Sequence, residues 1–203
     1  MPVGPIQRIA WAHVALACLF LSACYDVDHE IITPELSSRV PGFDGEVIFR
    51  VQDINGPENI ILFSDYVEDR KEYSIKIKDP DGTFWDYGSV RAFNLTGGYF
   101  IFQLKRGNFP ILFIVQRNEH ENLFNSVWID WQEKGWSFHD LKDFAMQHQV
   151  KLDLGVFGEH LAGEDNNILE FLKDHQNLPL KDFSPPPEAP CGSSGPTAHY
   201  CPP

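Results

Sequence analysis

The chain has 203 residues, with 16 Lys plus Arg against 29 Asp plus Glu, a formal charge of −13 and 13% aromatic residues. An acidic field of this size excludes phosphate backbones as a natural partner and gives no direct attraction to anionic headgroups. Hydrophobic content of 43%, with 16 Phe and 5 Trp, excludes a chain disordered throughout.

Met1 to Arg8 is a short segment with one positive charge, and Ile9 to Phe20 is apolar except for His13. That run falls short of the roughly 20 residues of a membrane-spanning helix and fits the apolar region of a secretory signal. An A-x-A site at Ala15-Leu16-Ala17 is a poorer cleavage point, because it would leave Cys18 and the apolar tail on the product. Leu21-Ser22-Ala23-Cys24 follows. This tetrad resembles the lipobox of bacterial lipoproteins, and the body resembles small envelope lipoproteins of unknown function.

The resemblance implies peptidase recognition of Leu21, Ser22 and Ala23, cleavage after Ala23, and a diacylated, palmitate-bearing thiol at Cys24. With Tyr25 rather than aspartate after that cysteine, it also implies anchoring in the outer membrane, the domain facing the periplasm or the cell surface. Removal of residues 1–23 takes away Arg8 alone among the charged residues, so the remaining 180 residues carry −14. The acyl chains then supply the membrane affinity.

Residues 24–43 read as a lipidated tether, since Asp26, Asp28, Glu30 and Glu35 are spread among its apolar positions and Pro34, Pro41 and Gly42 punctuate it. Residues 44–183 read as a single domain. From Gly45 to Trp131, runs of β character are broken by turn chemistry every ten to fifteen residues, the pattern of an antiparallel meander. Tyr73, Ile75 and Ile77 alternate with Ser74, Lys76 and Lys78, predicting one buried face. Tyr99 to Phe102 and Ile111 to Val115 are apolar on both faces, which predicts central strands covered on both sides.

Ser137-Phe138-His139-Asp140 predicts a capped helix burying Phe138, Leu141, Phe144 and Ala145. A second helix is predicted from about Asn166 to His175, and a strand within Lys151 to Phe157. The fold class is therefore α+β: a β-meander, curled or partly closed into a barrel, followed by two helices. Residues 184–203, rich in Pro, Gly and Ser, read as a disordered tail. Cys191 and Cys201 within it are candidates for an intramolecular disulfide, with intermolecular pairing or a soft metal site as alternatives. With His199 alone beside them they make an incomplete zinc set.

Chemical motifs elsewhere are weak. Asp79-Pro80-Asp81-Gly82 begins like a calcium loop but lacks the later acidic ligand, so a hairpin turn is the reading. His139, His148, His160 and His175, with Asp140, Asp143 and Glu159, lack metal-ligand spacing and read as solvated helix faces. Ser64 and Ser126 lack a nucleophile-elbow context, and Gly97-Gly98 is a turn. Phe84, Trp85, Trp128, Trp131 and Trp136 read as core rather than a sugar-binding surface.

The expectation is a non-catalytic interaction or scaffold lipoprotein with an envelope protein partner, without cofactor, metal or nucleic acid. The alternative is a carrier of a small apolar ligand in a lipocalin-like barrel, which Gly42-Phe43-Asp44-Gly45, loosely similar to the lipocalin entry motif, supports only weakly. A metal-dependent hydrolase using the C-terminal histidines is more distant.

Overall fold

In a computed structural model, residues 24–53, 56–79, 81–106, 109–118, 122–129, 135–155, 159–174 and 180–181 are described. The strands are β1 (Cys24–Val27), β2 (Gly45–Asp53), β3 (Gly56–Val67), β4 (Glu72–Lys78), β5 (Phe84–Asn94), β6 (Tyr99–Arg106), β7 (Phe109–Asn118), β8 (Leu123–Ile129), β9 (Lys151–Leu154), β10 (Glu159–Ala162) and β11 (Leu180–Lys181). Two helices, α1 (Phe138–Gln147) and α2 (Asp165–Lys173), complete the described elements.

The meander runs β2 to β8 with each strand antiparallel to the next. Seven strands alternating in direction leave the first and last pointing the same way, so a ring can close only through a parallel pair. That pair exists: Ile48, Phe49 and Arg50 of β2 lie beside Leu123, Phe124 and Asn125 of β8. The expected α+β class holds, with β dominant. The meander that the sequence left curled or partly closed is closed into a seven-stranded barrel.

Alternation fills it. Val47, Phe49, Ile75, Phe102, Phe113 and Phe124 belong to one buried cluster inside the ring. A bulge in β5, where the register against β4 shifts between Ile75 and Lys76, adds a residue so that Tyr87 is also buried in that cluster. Gly88 beside it has φ +149°, and a Cβ there would stand 2.6 Å from the Lys105 carbonyl oxygen, so only glycine fits.

The outward side chains of β6 and β7, Ile101, Leu112 and Ile114, lie in a second core under α1 and α2. This explains why those strands are apolar on both faces. The capping box of α1 forms as expected: Asp140 N–H donates to Ser137 Oγ at 3.2 Å and Ser137 N–H donates to Asp140 Oδ2 at 2.6 Å. Leu141 and Ala145 of α1 meet Ile168, Leu169, Phe171 and Leu172 of α2 in this layer. Next to them β1 extends the sheet, pairing antiparallel with the first half of β7 and parallel with β10, which pairs with β9.

Residues 24–43 are not a tether. Tyr25, Val27, Ile31, Ile32, Val40 and Phe43 are all buried. After β1, the chain crosses the outside of β6 and β5 as a strap. Gln103, itself buried, accepts the Ile31 and Ile32 amides on Oε1 at 2.6 and 2.7 Å. Glu30 pairs with Arg91 and Lys105, each at 2.5 Å. The Lys105 hydrogen bond first, and Arg91 with it, hold the Glu30 carboxyl below its ordinary value of 4.5. The strap then turns over the barrel end, where Tyr73 Oη accepts the Val40 amide at 2.7 Å and Ser64 Oγ donates to the Phe43 carbonyl. Phe43 enters edge-on against Tyr73, Phe102 and Phe124, with centroids 4.8 to 5.0 Å away. The acids that make this stretch look solvated occupy its outer positions, while the apolar residues between them carry the packing.

Phe43→Ala removes the ring on which three strands converge and is expected to cost about 3–5 kcal/mol, read by urea unfolding. Burial pushes the Tyr73 hydroxyl up to about 12 from 10.0. A folded value raised above the unfolded one means stability present below pH 10 and lost as pH rises through 12. Absorbance titration near 295 nm should therefore show a late-ionising tyrosine that Tyr73→Phe abolishes.

Candidate functional site

The barrel interior is the first place to look for a ligand, and among the described residues it is nearly full. The residual void is about 30 Å³, wholly apolar, and lies among Phe49, Ile60, Leu62, Tyr87, Leu104 and Phe113. A void of that size is on the order of a single water, and its lining offers no polar partner to hold one.

The outside of the barrel carries the more distinctive feature. Ile48, Ile61, Phe63 and Phe84 are each 37–41% exposed. Ile48 of β2 sits directly opposite Ile61 of β3, and the Phe63 and Phe84 rings meet edge-to-face with centroids 6.0 Å apart. Together they form an apolar stripe across β2, β3 and β5. Its rim is charged: Glu46 and Lys76 flank Phe63 in register, and Asp86 lies opposite Lys76. Lys78 Nζ stands 5.7 Å over the Phe84 ring and 3.3 Å from Glu46. Sequence reading placed Phe84 among core aromatics. The alternation Ile61, Phe63, Asp65 against Ile60, Leu62, Ser64 was the signal that two large side chains of β3 face outward.

Of the other aromatics, Trp85 packs against the inner cluster, 5.5 Å from Tyr87, and donates from Nε1 to Asp79 at 3.2 Å. Trp136 lines a shallow groove of about 410 Å³ with Asp140, Asp143, Phe144 and Gln147. The Asp140 carboxylate is committed to the α1 cap, which holds it below its ordinary range through the Ser137 hydroxyl and amide. The side chain of Trp128 and all of Trp131 lie outside the described residues.

The C-terminal histidines do not converge. His139 faces Asp143 at 3.7 Å, His148 faces Asp174 at 3.6 Å, and His160 faces Asp28 at 3.6 Å. Each is one half of a separate pair, and His175 lies outside the described residues. Among the described residues no group of three or more His, Cys, Asp or Glu side chains is placed to hold a metal. Between β4 and β5, Gly82 N–H donates to the Asp79 carbonyl at 2.8 Å and Asp81 accepts the Thr83 amide at 2.9 Å, the bonding of a hairpin turn, while Pro80 lies outside the described residues. Ser64 is buried and spent on the strap, Ser126 is buried in β8, and the Gly98 carbonyl accepts from Arg117 N–H in a turn.

Cys24 is the first residue of β1, opposite Phe113. Leu21, Ser22, Ala23, Cys191 and Cys201 lie outside the described residues, as do residues 184–203. Among the described residues, no helix is long and apolar enough to cross a membrane. No known protein family, curated protein or solved structure matches the chain.

The filled interior predicts a specific response to truncation. The unaltered protein should show no thermal shift with benzene, whereas Leu104→Ala should lose about 2–5 kcal/mol and regain part of it when benzene occupies the enlarged apolar void. Thermal unfolding with and without benzene reads both.

Proposed function

We propose that this protein is a lipid-anchored envelope lipoprotein whose barrel serves as a non-catalytic interaction module. The observation that carries the reading is the stripe of Ile48, Ile61, Phe63 and Phe84 on the outer wall. A contiguous apolar centre with a charged rim is the anatomy of a protein contact surface, and an isolated barrel has no need to place four large apolar side chains in water. The anchor half of the reading rests on Leu21 to Cys24, and the partner it implies is another envelope protein.

The carrier reading has the closed barrel in its favour. Against it stands the interior, where the void among the described residues is about 30 Å³ while small-molecule pockets run to roughly 300–1000 Å³. Phe43 supports the same preference, since it fills the barrel end as part of the core rather than lining an entry. A metal-dependent hydrolase finds no support in the dispersed histidines.

Two substitutions separate the halves. Cys24→Ala should move the protein from the membrane fraction to the soluble fraction; unchanged processing and fractionation would overturn the anchor. Phe63→Ser with Phe84→Ser should leave the unfolding midpoint within a few degrees of the parent while abolishing an in-cell crosslink from a photoreactive residue at position 61. A crosslink of undiminished strength would sink the interaction surface.

A further inference from the structure

The two flanks of the outer stripe carry opposite charge, and that decides what kind of partner fits it. Across four strands the register sets one row: Glu46 of β2, Phe63 of β3, Lys76 of β4 and Asp86 of β5. In the next row Ile48 stands beside Ile61, and Lys78 beside Phe84. Phe63 and Ile61 thus run along the middle of the face, with Glu46 on one side of Phe63 and Lys76 on the other. At about 4.8 Å per strand, these two charged positions are about 10 Å apart.

Around the apolar centre, the outward residues Arg50, Lys76 and Lys78 balance Glu46, Asp65 and Asp86, whereas the whole chain carries −13. Two copies of so acidic a chain repel one another over most of their surface, and a charge-balanced face is where that repulsion is least.

We infer that the stripe is a homodimer contact, met by a second copy of this chain about a two-fold axis running along β3. The inference rests on the contact-surface reading above and names the partner. A two-fold along β3 exchanges the strands on either side of it, so the β2 flank of one copy lies over the β4 flank of the other. Phe63 then meets Phe63, Ile61 meets Ile61, and Glu46 of each copy faces Lys76 of the other. Lys78, 3.3 Å from Glu46 within each copy, joins the same cluster. Asp65, the next outward residue of β3, would face its own counterpart and so marks the limit of the contact. Two convex walls bury little area, at the small end of protein interfaces below about 1,200 Å². Association is therefore weak in dilute solution and gains from confinement of both copies to one membrane.

The test co-expresses two full-length copies with different epitope tags, one of them carrying a photoreactive residue at position 61. The expected product on irradiation carries both tags. Glu46→Lys in both copies, or Lys76→Glu in both, should lower it roughly threefold or more, because each change sets like charges opposite one another at two places. Pairing a Glu46→Lys copy with a Lys76→Glu copy should restore it, since every 46–76 contact is then again between opposite signs, and restoration shows that both variants fold. Single-variant loss without restoration overturns the inference, as does a two-tag product indifferent to these charges. A product joining the chain to a different protein overturns it and leaves the contact-surface reading standing. Absence of any product at position 61 removes both together.

Discussion

An odd number of alternating strands constrains everything else in this fold. A seven-stranded meander can become a ring only by placing its first and last strands parallel, and the seam that does so is three residue pairs long, from Ile48–Leu123 to Arg50–Asn125. So short a pairing needs reinforcement from side chains. Phe124 stands at its centre inside the ring, with Phe43 wedged against it at 4.9 Å. Beyond the seam, β8 leaves β2 and pairs with β11, while β1 takes over the edge of β7 that β8 vacates. Barrel closure, the strap and the attachment of the outer sheet are thus parts of one arrangement.

The legible part of the sequence was local. Alternation in Tyr73 to Lys78, double-sided apolarity in Tyr99 to Phe102 and in Ile111 to Val115, and the Ser137 capping box each express a period or a cap within a few residues, and each appears in the structure. Parallel closure was not legible, because the pairing joins segments about 75 residues apart and leaves no local trace. The strap was misread for a different reason. Composition counts Asp26, Asp28, Glu30 and Glu35 equally with Ile31, Ile32 and Phe43, whereas packing depends on which positions point inward. A single polar side chain, Gln103, makes the difference by satisfying two backbone amides that would otherwise be buried without partners.

The outer stripe was half legible. Ile61 and Phe63 alternate with Ile60 and Leu62, so β3 reads as apolar on both faces, the same signature as β6 and β7. In β6 and β7 the second face lies under helices, and in β3 it faces solvent. Periodicity identifies a strand with two apolar faces. It does not say which layer, if any, covers the outer one, and that distinction separates a core from a contact surface.

The length of the seam's loop also sets the order in which the barrel can assemble. A chain emerging from its N-terminus exposes the edge of β2 until Leu123 to Asn125 follow, with the five intervening strands made in between. Hairpins form within microseconds, but closing a loop of about 75 residues comes late and at an entropic cost. For that interval β2 is an uncapped strand edge with Ile48 on its outer face, open to pairing with other chains. The edge of β2 is therefore the last in the barrel to find its partner.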